Sequence, residues 1–168
     1  MNGDENTVKI VPISERYIEG YHSCLDSVAR ERRYIGFLQA PPLESTREFV
    51  LSNIKNRVPQ LLALKDGAVV GWCDISPRKG EGFTHCGRLG MGVLKVHRRQ
   101  AIGTKLMERT ITKAKERGME RIELEVFASN TAAINLYEKW GFVVEGVKKK
   151  ARKLDGLYDD LIVMSLFV

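Results

Sequence analysis

From Leu94 to Leu106 the chain reads Leu-Lys-Val-His-Arg-Arg-Gln-Ala-Ile-Gly-Thr-Lys-Leu. A strand pattern ends, a turn of basic and small residues follows, and a helix pattern begins at once. Ile102, Leu106, Thr110 and Ala114 then recur on one helical face, with Gly118 as the stop. The first-turn amides of a helix lack internal partners, and the helix dipole leaves partial positive charge there. Ala101 and Gly103 would let an anion approach the backbone, and Arg98 and Arg99 add forked donors. Spacing alone also allows an ordinary strand–helix connection. Neither GxxxxGK followed by Ser or Thr nor GxGxxG is present, so this is not a P-loop or a dinucleotide fingerprint.

The flanking pattern sets the layout. Val8 to Val11 before Pro12 suits an edge strand. Ile18, Tyr21, Leu25 and Val28 mark an amphipathic helix. Tyr34 to Leu43, with Phe37, Leu38 and Pro41-Pro42, reads as an apolar loop, and Ser45-Thr46-Arg47-Glu48 as a capping box opening a second helix. Asp66-Gly67 and Asp155-Gly156, each between apolar runs, signal hairpins. A mobile loop is expected over 76–82, then a long strand from about Thr84 to Val96. Arg121 to Phe127 alternates, with Ile122, Leu124 and Val126 on one side and Glu123 and Glu125 on the other. The order β-α-α-β-β-β-α-β-α-β-β predicts a mixed sheet covered by helices.

Composition narrows the class. With 168 residues, 43% apolar and 29% charged, the chain fits one globular domain and excludes bulk disorder and rods. No apolar run is long enough to span a membrane, and Met1 to Asn6 lacks the apolar core of a secretory signal, so the cytoplasm is expected. Cys24, Cys73 and Cys86 form no CxxC pair and read as core residues, with neither disulfides nor a metal site. Lys and Arg exceed Asp and Glu by 27 to 21, which suits an anionic partner. The chain carries no recognisable helix-turn-helix or RNA-reading aromatic signature, so that partner is not expected to be nucleic acid.

A second segment carries chemistry. Asn130, Ala133 and Tyr137 lie at i, i+3 and i+7 on one helix, with Asn130 and Tyr137 about 10 Å apart along its axis. That face could present an amide and a phenol to one extended ligand. Equally, Asn130 could be the helix cap and Tyr137 a core aromatic.

Together the two segments resemble the GCN5-related N-acetyltransferase family. Arg98-x-x-Ala101-x-Gly103 is similar to its Q/R-x-x-G-x-G/A pyrophosphate motif. Ser129-Asn130-x-x-Ala133-Ile134-x-Leu136-Tyr137-x-x-x-Gly141-Phe142 is similar to its second acetyl-CoA segment. The resemblance implies a single α/β (α+β) domain over residues 1–168, a mixed, mostly antiparallel sheet with helices on both faces. It implies a V-shaped opening between the strands ending near Val96 and Phe127, with acetyl-CoA as co-substrate. Pantetheine would pair with the backbone of Leu94 and Val96. The pyrophosphate would sit on amides of Arg99, Gln100, Ala101, Ile102, Gly103 and Thr104. Asn130 and Ala133 would flank the pantetheine arm. Ala101 departs from the motif glycine, so it must avoid positive φ or accept strain.

The implied reaction is attack of a primary amine of a small molecule, amino acid or peptide N-terminus on the thioester. Ribosomal-protein alanine acetyltransferases, which this chain resembles in these segments, imply Tyr137 as acid and Glu125 as base. An ordinary carboxylate is a weak acceptor from an ammonium, so Glu125 would need either a relaying water or a raised proton affinity, which Glu123, two residues away on the same face, would supply. The alternative is that both glutamates pair with Lys or Arg. Asp74, His85 and Asp160 are further base candidates, and Cys86 reads as packing. The loop at Tyr34 to Pro42 and the Tyr158-Asp159-Asp160 segment are expected to wall the acceptor. A homodimer is expected from the family, and a non-catalytic acyl-CoA-binding module on the same fold is the alternative function.

Overall fold

Asp66-Gly67 and Asp155-Gly156 turn the chain with positive φ at both residues, 50° and 79° in each case. Those are the values that match the twist of a tight hairpin. The computed structural model describes residues 7–168, so the polar start, and the expectation resting on it, lie outside the described residues. Seven strands and four helices follow in the expected order: β1 (Lys9–Pro12), α1 (Ile18–Arg30), α2 (Leu43–Lys55), β2 (Gln60–Lys65), β3 (Ala68–Pro77), β4 (Cys86–Val93), α3 (Ile102–Glu116), β5 (Arg121–Phe127), α4 (Thr131–Lys139), β6 (Val143–Leu154) and β7 (Leu157–Phe167). They form one sheet in the order β1-β2-β3-β4-β5-β7-β6. Among the described strands only β4 and β5 pair in parallel.

That parallel pair is short. Its register is Cys86↔Arg121, Gly87↔Ile122 and Arg88↔Glu123, and beyond it the two strands part. The opening they leave is the feature that positions the site.

The sheet is covered on both faces. Ile102, Leu106, Met107, Ile111 and Ala114 of α3 pack on Leu61, Ala63, Cys73 and Ile75, joined by Ile122, Leu124 and Val126 of β5 and by Tyr137 of α4. On the other face Ile18, Tyr21, Cys24, Leu25 and Val28 of α1 and Val50 of α2 pack on Leu62, Leu64 and Trp72. The period-2 pattern of β5 therefore sends its aliphatic residues to the α3/α4 face and Glu123 and Glu125 to the α1/α2 face.

Three local expectations are corrected. The second helix starts at Leu43, not at the Ser45 capping box. Pro42 is extended at φ −50°, ψ 145°, and its carbonyl accepts from the Thr46 amide at 3.1 Å, so the helix begins as soon as the proline permits. Ser45 thus lies inside the first turn rather than at the cap, and Thr46 beside it is buried. The strand expected from Thr84 to Val96 is shorter, because 81–83 and 95–97 wind into 3-10 turns at its two ends. The segment expected as a loop over 76–82 is partly strand, since β3 runs to Pro77, and Arg78 then stacks on Phe83.

Candidate active site

A cleft of about 1100 Å³ passes through the sheet where β4 and β5 part. On the α3/α4 face it is lined by Leu89, Met91 and Val93, by Ala101 to Thr104, and by Asn130, Ala133 and Tyr137. On the α1/α2 face it is lined by Tyr21, Tyr34, Phe37, Phe49, Trp72 and Asp74, with Glu125 at the divide.

The freed edge of β4 offers backbone to this cleft. The Leu94 amide donates to the Val70 carbonyl on β3 at 2.9 Å, so alternation turns the amides of Val93 and Met91 toward the opening. The backbone of Leu94 and Val96, expected to meet pantetheine, is placed elsewhere. Leu94 has spent its amide inside the sheet. Val96 lies on the 3-10 turn, 76% exposed, with its carbonyl taken by Gln100 Nε2 at 3.3 Å. Leu94, Val96 and Gln100 do not line the cleft. The register with β3 sets this parity, turning the amides of Gly92 and Leu94 inward and those of Met91 and Val93 outward.

The start of α3 is an open N-terminus. Its first helical bond runs from the Lys105 amide to the Ala101 carbonyl at 3.1 Å, so the amides of Ile102, Gly103 and Thr104 have no helical partner, and no side chain caps the helix. Ala101 adopts φ 58°, ψ 14°, and Arg99 φ 60°. The alanine therefore accepts the left-handed strain that a glycine would avoid.

The two arginines divide. Arg99 lines the cleft beside the helix start. Arg98 also lines it, but its guanidinium is committed. Nε donates to the Val93 carbonyl at 2.8 Å, Nη1 and Nη2 form a fork with Glu31 at the end of α1, and the Tyr34 ring stacks at 4.6 Å. Arg98 is a strut tying the turn to α1 and the loop after it.

Asn130 caps α4, with Oδ1 accepting from the Ala133 amide at 3.3 Å, and it also lines the cleft. Tyr137 is buried against Phe142, ring centroids 5.6 Å apart, and reaches the cleft from the α4 side. Burial pushes its phenol up, with a smaller contribution from Cys73, so its proton is firmly held.

The carboxylates separate as well. Glu123 pairs with Arg78 and Arg121, and Glu125 with Arg88 at 2.8 Å and Lys148. The expected repulsion between the two glutamates is replaced by cations from β4, β5, β6 and the segment after β3, and both Glu125 oxygens are occupied. Asp160 bonds the Lys150 amide at 2.8 Å and Lys149 Nζ at 2.9 Å, which lowers its pKa, and it does not line the cleft. Tyr158 is exposed, and Asp159 is held by Arg152 and Ser129, so the segment expected as a second wall contributes only the following Leu161. His85 is exposed at the far end of β4, and Cys86 is buried.

Asp74 is the carboxylate that sequence reasoning under-read. It is 9% exposed and lines the cleft. Its one hydrogen bond is from the Ser76 hydroxyl at 3.3 Å. Burial pushes it up to about 7, against the smaller opposing effect of Ser76. The register Asp74↔Gly90 and Trp72↔Gly92 explains how both side chains fit. A Cβ on Gly92 would stand 2.3 Å from the Trp72 ring, and one on Gly90 3.5 Å from Asp74. The glycines at alternate positions of β4 were the available signal. Among the described residues no cluster of His, Cys, Asp and Glu could hold a metal, and no helix is long and apolar enough to cross a membrane.

A mostly antiparallel sheet whose one parallel pair splays over a helix N-terminus, with helices on both faces, defines the acyl-CoA N-acyltransferase class of fold. Residues 20–142 match the "Acetyltransferase (GNAT) family", and the chain belongs to that family. The L-amino acid N-acetyltransferase AaaT of Escherichia coli (strain K12) is 33% identical over 109 residues, covering 64% of this chain and 67% of that protein. Across the curated relatives the matched stretch spans between about half and two thirds of their own length. The ribosomal-protein-alanine N-acetyltransferase of Brucella melitensis superposes with a TM-score of 0.88 at 25% identity, covering 95% of this chain and 99% of that one. The yncA protein of Salmonella typhimurium, solved with its cofactor acetyl-CoA, gives 0.89 at 20% identity, covering 96% and 94%.

Proposed function

We propose that this protein transfers the acetyl group of acetyl-CoA to a primary amine by direct attack. The observation that carries the reading is the cleft through the sheet. It joins a backbone-lined channel on the α3/α4 face to a side-chain-lined chamber on the α1/α2 face. A thioester lying in the gap is then reached by acyl donor and amine from opposite faces, which holds the reacting atoms together without a covalent enzyme intermediate.

In this reading the pantetheine arm runs along the edge of Met91 and Val93, between β4 and Asn130 and Ala133. The pyrophosphate rests on the amides of Ile102, Gly103 and Thr104, with Arg99 beside it. Amides at the splay stabilise the carbonyl oxygen as it gains charge. Tyr137, a phenol with a firmly held proton, supplies it to sulfur only when the thiolate forms. Glu125 keeps Arg88 and Lys148 in place at the divide. The family and the amino-acid and ribosomal-protein names of the relatives support an amine acceptor.

Acetyl-CoA should raise the melting temperature of the purified protein, because a ligand of the native state stabilises it by mass action. Thiol release with a panel of amines, amino acids and peptides should then reveal turnover. No thermal shift at millimolar acetyl-CoA would sink the reading. A shift without thiol release for any amine would leave an acyl-CoA-binding module.

A further inference from the structure

We propose that Asp74 is the proton acceptor for the incoming amine, and that its chamber takes primary amines on an apolar or aromatic body with no carboxylate beside the nitrogen. This rests on the acetyl-transfer reading above and deepens it.

Four observations converge. Asp74 projects on the same face as Trp72 and Ser76, away from Cys73 and Ile75, and so toward α1 and α2. By register it lies beside Gly90, two residues beyond the last β4–β5 pair, hence at the mouth of the opening. It is buried with no cation on it and one long hydrogen bond, an arrangement that an arriving ammonium would complete. Thr46, buried across the same chamber, also carries a hydroxyl without a partner.

The groups facing Asp74 leave it alone in this role. α1 contributes the phenol of Tyr21, which is stacked edge-on to Trp72. β2 contributes Gln60, directly opposite in register and bonded to Asn53. β4 contributes Arg88, turned to Glu125, and β5 contributes Glu125 itself. From α2 and the preceding loop the lining includes Tyr34, Phe37, Ser45, Thr46 and Phe49, none of them a carboxylate or a basic residue. Of the other basic residues lining the cleft, Arg98 is forked onto Glu31, Arg99 lies beside the start of α3, and His97 follows β4 with its Nδ1 unpartnered. Among the described residues each arginine on this half is paired with a carboxylate, Arg88 with Glu125 and Arg98 with Glu31, so a carboxylate two bonds from the nitrogen would meet Asp74 with no arginine of its own.

The step balances. Asp74 takes one proton from the ammonium, and the released nitrogen lone pair forms the C–N bond as the C–S bond breaks. Tyr137 gives its proton to sulfur and is restored by the second nitrogen proton. Asp74 returns its own proton to solvent. Acceptor and donor of protons thus stand on opposite faces of the sheet, one on the amine side and one on the thiol side.

The test compares phenethylamine with L-phenylalanine, which share ring and amine and differ by the carboxylate. In wild type, kcat/KM for phenethylamine should fall below a pH near 7 and exceed that for L-phenylalanine at least tenfold. Asp74→Asn should lower it about 10²–10⁴-fold at neutral pH. The limb near pH 7 should give way to one at higher pH, where solvent deprotonates the amine, and the preference over L-phenylalanine should shrink. Ser76→Ala keeps the carboxylate but removes its hydrogen bond, so the acid limb should move to higher pH. Acetyl-CoA affinity, measured separately, should stay constant in both variants. An Asp74→Asn enzyme within threefold of wild type with the same pH profile would overturn the assignment. So would equal or better use of L-phenylalanine by wild type. Failure of wild type to bind acetyl-CoA would overturn the transfer reading, and this inference with it.

Discussion

On the α3/α4 face the cleft is lined mainly by main chain and small or aliphatic residues, at the freed edge of β4, the start of α3 and the cap of α4, with Arg99 and Tyr137 beside them. On the α1/α2 face it is lined by large side chains, among them Tyr21, Trp72 and Phe49, with one buried carboxylate. The first half uses peptide groups that any sequence supplies, so its demand is for small residues and a fixed turn. The second uses side-chain chemistry, so it can change without disturbing the first. One cleft can therefore hold a constant donor and a variable acceptor. Arg98 joins the halves, since one guanidinium reaches Val93, Glu31 and Tyr34.

The largest effect expected is at Tyr137. Tyr137→Phe should lower kcat about 10²–10⁴-fold with little change in acetyl-CoA affinity, because in the proposed reaction the hydroxyl acts only as sulfur becomes anionic. Unchanged kcat, measured where chemistry limits the rate, would return Tyr137 to a packing role against Phe142. The two arginines should separate next. Arg98→Ala leaves Glu31 without its fork and should cost about 1–3 kcal/mol of stability in denaturant unfolding. Arg99→Ala should spare stability and weaken acetyl-CoA binding and its salt dependence. Equal effects on both measurements would erase the distinction between strut and ligand.

Gly92→Ala tests whether the acceptor half can be damaged alone. Its Cβ would collide with Trp72, so about 1–3 kcal/mol of stability should be lost and acceptor KM should rise more than acetyl-CoA Kd. If the Kd rises as much, the halves are not separable.

Asp74 offers a test by pH. Its folded pKa of about 7 lies above the unfolded 3.8, so ionising it weighs against the folded state as pH rises between these values. Wild type should therefore lose stability relative to Asp74→Asn over that window, by at most roughly 1.4 kcal/mol per pH unit, with the gap constant above it. Parallel stability curves from pH 4 to 8 would show that Asp74 is not buried as a lone acid. The smallest effect is at Ala101. Replacing it by glycine relieves the left-handed conformation and should stabilise by up to about 1 kcal/mol, read as a small rise in Tm. A fall in Tm would mean the alanine methyl packs usefully.

The order of all eleven elements was legible in local pattern, because hairpin turns, helix stops and hydrophobic periods are short-range properties of the chain. Asp66-Gly67, Gly118 and the alternation from Ile122 to Val126 act within a few residues, and the structure follows them. The boundaries at Pro42 and Val93 were less legible, since small shifts there depend on which carbonyls the neighbouring segment can reach. The donor side of the site was readable in part for the same local reason: a basic, small-residue turn before a helix advertises free amides. The local pattern ranks Glu125 ahead of Asp74, His85 and Asp160 as a base, because a sequence shows carboxylates without their partners. Only the tertiary structure brought Arg88 and Lys148 to Glu125 from β4 and β6, and Arg98 of the turn before α3 to Glu31 at the end of α1. It also left Asp74 buried without a cation under α1 and α2. Charge state and burial are sums over neighbours distant in sequence, and those neighbours are chosen by strand register and helix docking.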